Sequence, residues 1–139
     1  MLTLKLFGLT LAVFLLLDFV WLGLIMKNFY NAELGDLARR EAGSLAPRWG
    51  AAILVYLLIP AGLVLFVRPY LGENSSYGLA VLYGALYGLV LYGVYDWTNY
   101  ALLEKWTLRM TLVDCLWGAT ICAAAATAMQ WLSLKLTAN

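Results

Sequence analysis

Four long apolar runs, separated by shorter polar stretches, dominate the pattern of hydrophobic and polar positions along this chain. A helix needs roughly 20 apolar residues to cross a bilayer, with about 17–25 acceptable. Segments at about 6–26, 50–67, 77–95 and 111–132 meet that requirement. Because isolated strands cannot satisfy their backbone in lipid, the pattern predicts an all-α fold, a four-transmembrane-helix bundle that forms a single domain over residues 1–139.

The polar segment 27–49 between the first two spans has a pattern of its own. Tyr30, Leu34 and Leu37 recur at helical spacing with charged residues between them. This predicts a short amphipathic helix that lies on the membrane surface and ends near Gly43. After the second span, residues 72–76 predict a polar turn. After the third, the semi-polar residues 97–110 predict a second interfacial element.

The distribution of Lys and Arg predicts the orientation of the spans. The segments 27–49 and 97–110 together hold six of these residues, and the other side of the bundle holds three. Short cytoplasmic loops carry the excess of Lys and Arg. The expected arrangement is a multi-pass protein of the inner (cytoplasmic) membrane with both connecting segments in the cytoplasm and both termini outside.

The composition supports a membrane protein and excludes several kinds of chemistry. The chain is 64% hydrophobic and 12% charged, whereas soluble domains are about 45–50% apolar and about 25% charged. Histidine is absent and the net charge is +1, which argues against histidine-ligated metals, histidine bases and nucleic-acid partners. Cys115 and Cys122 are about 10 Å apart on one helix, too far for a disulfide. No metal, cofactor or catalytic residue is predicted.

Three aspartates lie within or at the end of apolar runs: Asp18, Asp96 and Asp114. A carboxylate at the bilayer centre costs about 2.5–3.5 kcal/mol on insertion scales, so each is expected to face the bundle interior and to contact a polar group. The expected partners are Tyr92, Tyr95, Thr98, Asn99 and Thr111. Two interpretations remain open, a polar network that sets the packing of the helices and a proton-carrying or substrate-binding site.

Two of the aspartates belong to the same local pattern, Asp18-x-x-Trp21 and Asp114-x-x-Trp117. Residues three apart share a helix face, and antiparallel spans bring the two motifs to the same membrane depth. We expect both motifs to form one cytoplasm-facing polar pocket, which would also contain Tyr95, Asp96 and Asn99. The alternative is two separate tryptophan anchors with unrelated aspartates.

Small residues predict how the third and fourth spans pack. Gly84 and Gly88 form a G-x-x-x-G step, which lets helix backbones approach closely in lipid, and a helical projection places Tyr92 and Tyr95 on the same face. The expected facing surface on the fourth span comprises Asp114, Gly118, Cys122, Ala125 and Met129. The tyrosines either specify packing only or line a cavity for a ligand or lipid chain.

Two sequence blocks resemble a known family. The stretches Tyr95-Asp-Trp-Thr-Asn99, with Trp106, and Thr111-Leu-Val-Asp-Cys-Leu-Trp-Gly118 are similar to the bacterial membrane family catalogued as domain of unknown function 2177. Thr107 stands where the family often has proline. The resemblance extends over nearly the whole chain, marks the aspartates and tryptophans above, and implies an inner-membrane protein without an assigned activity.

Three functions are compatible with these patterns. The favoured one is a non-enzymatic bundle that binds lipid or an apolar small molecule, or that partners a membrane lipid-modifying system, alone or as a homo-oligomer. The second is a small proton-coupled transporter that uses the intramembrane aspartates. The third, an enzyme with an aspartate pair, lacks a nucleophile or metal cage at suitable spacing.

Overall fold

The computed structural model describes residues 1–72 and 75–137, so Glu73 and Asn74 of the expected polar turn lie outside the described residues. Its long helical segments are apolar enough to cross a bilayer, and each exceeds a hydrocarbon core of about 30 Å at about 1.5 Å per residue. Within the described residues they are Leu2–Ile25, Trp49–Tyr70, Tyr77–Leu102 and Leu108–Thr137. The predicted all-α bundle of four membrane-spanning helices is confirmed.

Helix α1 (Leu2–Val20) continues through a π-helical turn to Ile25. Helix α2 spans Lys27–Leu34 and is followed by a 3-10 turn. Helix α3 (Trp49–Gly62) also continues through a π-helical turn, Leu63–Val67, and a 3-10 turn, Arg68–Tyr70. Helices α4 (Tyr77–Leu102) and α5 (Leu108–Thr137) complete the bundle.

The connection between α4 and α5 is shorter than predicted. The expected interfacial element over 97–110 does not form, because α4 runs on to Leu102 and α5 already starts at Leu108. The chain has no proline or glycine between Gly93 and Met110 that would break the helix earlier. Only a tight turn over 103–107 remains between the two spans.

The segment after α2 also differs from the prediction. The helix ends at Leu34, because Gly35 adopts a positive φ of 42°. A two-residue hairpin follows, with Arg40–Glu41 (β1) antiparallel to Ser44–Leu45 (β2). Ala42 and Gly43 both have positive φ, which is the geometry of a tight hairpin turn. The amphipathic helix is therefore shorter than expected, and its position at the membrane surface remains a prediction.

The small-residue faces of α4 and α5 pack together as expected. A Cβ at Gly84 would lie 2.6 Å from the carbonyl oxygen of Cys122, and one at Gly88 would lie far inside van der Waals contact with the backbone of Gly118. Backbones this close require glycine. The predicted α5 face is buried along its length, from Asp114 and Gly118 through Cys122 and Ala125 to Met129.

Helix α1 packs on α5 through one regular stripe. Leu6, Thr10, Phe14 and Asp18 are the buried residues of α1 and recur every four positions, the spacing of a single helix face. The stripe is apolar at one end and ends in a carboxylate at the other. The α1–α5 contact therefore carries Asp18 toward the end of α5 that bears Asp114.

Candidate polar site between the spans

Hydrogen bonds connect the two Asp-x-x-Trp motifs to each other. The indole N–H of Trp117 donates to Oδ1 of Asp18 at 3.1 Å. The indole N–H of Trp21 donates to the hydroxyl of Tyr30 at 3.1 Å, and that hydroxyl donates to Oδ1 of Asp114 at 2.6 Å. Each aspartate is thus connected to the tryptophan of the other motif, directly in one case and through Tyr30 in the other.

The tryptophans of the two motifs also contact each other. The rings of Trp21 and Trp117 are stacked with centroids 4.3 Å apart and an interplanar angle of 5°. Asp18 accepts a further hydrogen bond, at 2.7 Å, from the hydroxyl of Tyr56 on α3. Hydrogen bonds and stacking therefore join α1, α2, α3 and α5 at one level of the bundle.

Tyr30 is held as a hydrogen-bond donor. Burial, and then the charge of Asp114 and its hydrogen bond, raise the pKa of the Tyr30 hydroxyl far above its ordinary value. The hydroxyl therefore keeps its proton throughout the physiological range. This is the protonation state in which it donates to Asp114.

The side chain of Asp96 lies next to Asp114, and its hydrogen bonding is incomplete. Its side chain is fully buried, and the thiol of Cys115 is 3.9 Å from Oδ2. The carboxyl group of Asp114 is an immediate neighbour. Oδ1 has no hydrogen-bond partner among residues 1–72 and 75–137. A buried polar atom without a partner is uncommon in folded proteins.

A cavity of about 780 Å³ opens beside this network. Its acidic and aromatic lining comes from the spans and α2, and its basic lining comes from α2 and the hairpin. The polar and aromatic lining residues are Asp18, Lys27, Tyr30, Asn31, Arg40, Ser44, Tyr56, Tyr92, Asp114 and Trp117. The apolar ones are Phe14, Leu22, Leu34, Leu45, Val55 and Ile59.

Helix α2 is tied to the α4–α5 turn by charged groups. The ammonium group of Lys105 is 2.9 Å from a carboxylate oxygen of Asp36, and its hydrogen bond and charge lower the pKa of that carboxyl. Arg109 lies 3.6 Å from Glu33, whose carboxylate also accepts a hydrogen bond from Thr107. These contacts hold one wall of the cavity against the bundle.

Hydrogen bonds also fix the Arg40 side chain in the hairpin wall. Its guanidinium donates to the backbone carbonyls of Gly35 and Asn31 and to the Asn31 side chain. The hairpin and α2 are therefore connected as one unit. This places a cationic group at a defined position in the cavity lining.

Half of the site residues predicted from sequence lie together in the structure. They are Asp18, Trp21, Tyr92, Asp114 and Trp117. Tyr92 lines the cavity, and its ring lies against Gly118. Asp96 is adjacent through Asp114. Both motif aspartates therefore line one cavity.

Four of the predicted residues lie elsewhere. Tyr95 is 56% exposed and packs edge-on against Trp106, since burial of Asp96 turns its neighbour about 100° away on a helix. Thr98 is exposed and Asn99 half-buried, whereas buried Thr111 accepts a hydrogen bond from Trp106. Within the described part of the chain, none of these four contributes a side-chain hydrogen bond to an aspartate, so the prediction that these four are partners of the aspartates is wrong.

The actual partners, Tyr30 and Tyr56, were missed. The spacing pattern predicts Tyr30 only as part of the amphipathic surface helix, and Tyr56 falls within the second predicted span. A phenol within an apolar span needs a hydrogen-bond partner when buried, and this signal could have identified Tyr56. The basic lining residues Lys27 and Arg40 are two of the six Lys and Arg residues that predict the orientation of the spans.

Comparison with curated proteins yields no match, and neither does comparison with solved structures. The family model described as predicted membrane protein (DUF2177) matches residues 3–131, which is most of the chain. The match covers both Asp-x-x-Trp motifs and the four candidate spans, except for Leu2 at the start of the first span and residues 132–137 at the end of the last. The chain therefore belongs to the DUF2177 family of predicted membrane proteins.

Proposed function

We propose that this protein is a non-enzymatic membrane bundle that binds an amphiphilic molecule, a lipid or a lipid-like compound, in the cavity between α1, α3 and the hairpin. The observation that carries the proposal is the cavity of about 780 Å³, whose lining combines polar and apolar side chains. Ligand sites usually have about 300–1,000 Å³ and combine apolar walls with a few placed polar groups. The cavity satisfies both criteria.

The depth of the polar groups supports an amphiphile. Asp18 precedes the end of its span at Ile25 by seven residues, and Asp114 follows the start of its span at Leu108 by six. At about 1.5 Å per residue, both carboxyl groups lie about 9–11 Å inside the span ends. A molecule that reaches them from the interface passes the apolar side chains of Leu22 and Val55.

A proton-coupled transporter is the second candidate, and Asp96 is the observation that favours it. A fully buried carboxyl group with one unpartnered oxygen beside Asp114 has the character of an intramembrane proton site. Counterflow driven by a proton gradient in proteoliposomes, abolished by Asp96→Asn, would favour transport over binding alone.

The proposed orientation in the inner membrane places the cavity mouth, with α2 and the hairpin, in the cytoplasm. In intact cells, a membrane-impermeant maleimide is expected to label Thr3→Cys and to leave Ser44→Cys unlabelled until the membrane is opened. Cys115 and Cys122 are buried, so the wild-type chain serves as the background control. Labelling of Ser44→Cys in intact cells would show that the protein has the opposite orientation.

Filling the cavity is expected to reduce binding. Val55→Trp places a bulky side chain in the lining, whereas Val90→Trp makes the same change at an exposed position of α4 that is not among the lining residues. Native mass spectrometry of the purified full chain should show retained amphiphile in wild type and Val90→Trp. In Val55→Trp the retained fraction should fall about tenfold, the equivalent of about 1.4 kcal/mol. Equal retention in all three proteins would refute binding in this cavity.

A further inference from the structure

We propose that the cavity recognises the zwitterionic headgroup of an aminophospholipid, with the ammonium group at Asp18 and Asp114 and the phosphate at Lys27 and Arg40. This inference rests on the proposed function and names its ligand class. Both carboxylates and both cationic side chains line the one cavity. Two further cavities, one beside Glu33 and Lys105 and one beside Arg68 and Ser133, do not combine these groups.

The carboxylates lack a counter-ion within the protein. Asp18 accepts hydrogen bonds from a phenol and an indole, and Asp114 accepts one from a phenol. All three donors are neutral. The ion pairs Arg39–Glu41, Lys105–Asp36 and Arg109–Glu33 do not include Asp18 or Asp114. A buried charge that no partner compensates is costly, so an ammonium group gains free energy by binding between them.

The aromatic lining strengthens the preference for a cation. Tyr30, Tyr56, Tyr92 and Trp117 line the same cavity as the two carboxylates. Aromatic rings attract a cation through the negative potential of the ring face, and the attraction is stronger where water is excluded. Aromatic rings and carboxylates that line the same cavity both favour an alkylammonium group.

The basic side chains in the lining indicate that the second charged group of the ligand is a phosphate. Lys27 lies just after the first span, and Arg40 is held in place by its hydrogen bonds to Asn31 and Gly35. A phosphate adjacent to an ammonium group matches this pairing of opposite charges. A purely anionic lipid would place a negative group near the carboxylates, and a simple cationic amphiphile would leave the basic groups unmatched.

The apolar walls favour a lipid over a soluble amine. Leu22, Val55 and Ile59 belong to membrane spans and line the cavity together with the polar groups. Val55 is half exposed. A free phosphoethanolamine would leave these side chains in water, whereas an acylated one covers them with its chain.

The test compares headgroups on the full chain in an uncharged maltoside detergent, with native mass spectrometry to measure Kd. The probes share one acyl chain: lysophosphatidylethanolamine, its N-acetylated derivative, lysophosphatidylglycerol and monoacylglycerol. Free O-phosphoethanolamine is the soluble-amine arm. Lysophosphatidylethanolamine is expected to bind at least about tenfold more tightly than each of the others, the equivalent of about 1.4 kcal/mol.

The variants locate the effect in the cavity. Asp18→Asn and Asp114→Asn keep acceptors for the tyrosines and indole but remove the charge, and each is expected to cost about tenfold in Kd for lysophosphatidylethanolamine and little for monoacylglycerol. Glu41→Gln, an exposed carboxylate outside the cavity, is the matched control and should bind as wild type. The N-acetylated probe removes the same charge from the ligand, so the test holds even where an Asn variant fails to fold.

The outcomes separate the two proposals. If all acylated probes bind equally and Val55→Trp weakens them all, the cavity binds amphiphiles and the headgroup inference is wrong. If free O-phosphoethanolamine binds as tightly as its acylated form, the ligand is a soluble amine and the lipid assignment is overturned. If no probe binds, both proposals fail.

Discussion

Gly88→Ala is expected to disrupt the α4–α5 pair and to cause a large loss of stability. The added Cβ would enter the carbonyl group of Gly118 and the side chain of Cys122. The carbonyl is backbone within a helix, so relief requires the two helices to separate. Overpacking typically costs about 1–3 kcal/mol and occasionally more, and the backbone contact places this variant at about 3 kcal/mol or above.

Gly93→Ala is the matched control for this prediction, because the same change is made one and a half turns further along α4. A Cβ there would approach only Trp97, at 4.0 Å, and alanine is favoured over glycine in a helix by about 1 kcal/mol. Unfolding by SDS titration in mixed micelles, followed by far-UV circular dichroism, measures both variants. A Gly88→Ala protein as stable as Gly93→Ala would contradict the close packing of α4 on α5.

Trp117→Ala is expected to destabilise the protein by about 3–5 kcal/mol, the range for removal of a large aromatic side chain from a packed site. The change removes the parallel stack on Trp21 and the N–H donor to Asp18. It also enlarges the cavity at the point where α1 meets α5. The loss of a donor to a buried carboxylate adds to the loss of packing.

Trp131→Ala, on the same helix but with its side chain 48% exposed, should cost less than about 1 kcal/mol, as is usual for exposed positions. Trp117→Phe retains an aromatic ring without the N–H group and is expected to fall between the two. The same circular dichroism assay measures all three variants without dependence on tryptophan emission. Equal stability of Trp117→Ala and Trp131→Ala would mean that the two motifs are not energetically coupled.

The packing faces were predictable because they depend on local geometry. The G-x-x-x-G step at Gly84 and Gly88 and the Asp114–Met129 stripe are properties of single helices with a known period. In lipid, small residues mark where two backbones approach. The expected pairing of α4 with α5 therefore followed from sequence, and the structure shows the same residues in contact.

The partners of the aspartates were not predictable in the same way. The cost of a carboxylate in lipid predicted the burial of Asp18 and Asp114. Their partners are distant in sequence, since Tyr30 lies 84 residues before Asp114 and Tyr56 lies 38 residues after Asp18. Which phenol reaches which carboxylate depends on how α2 folds back and how α3 packs. The nearby candidates Tyr95 and Thr98 failed because burial of Asp96 turns them to the outside of the bundle.

The membrane character, the four helices and the family follow from the amino-acid sequence alone. Hydropathy, span length and helical period are local properties that follow from composition and spacing. The hydrogen bonds between the motifs, the hairpin at Arg40–Leu45 and the cavity lined by both acidic and basic side chains depend on tertiary packing. These features arise where four segments distant in sequence meet, and the packing of one segment on another has no signature in the pattern of a single helix.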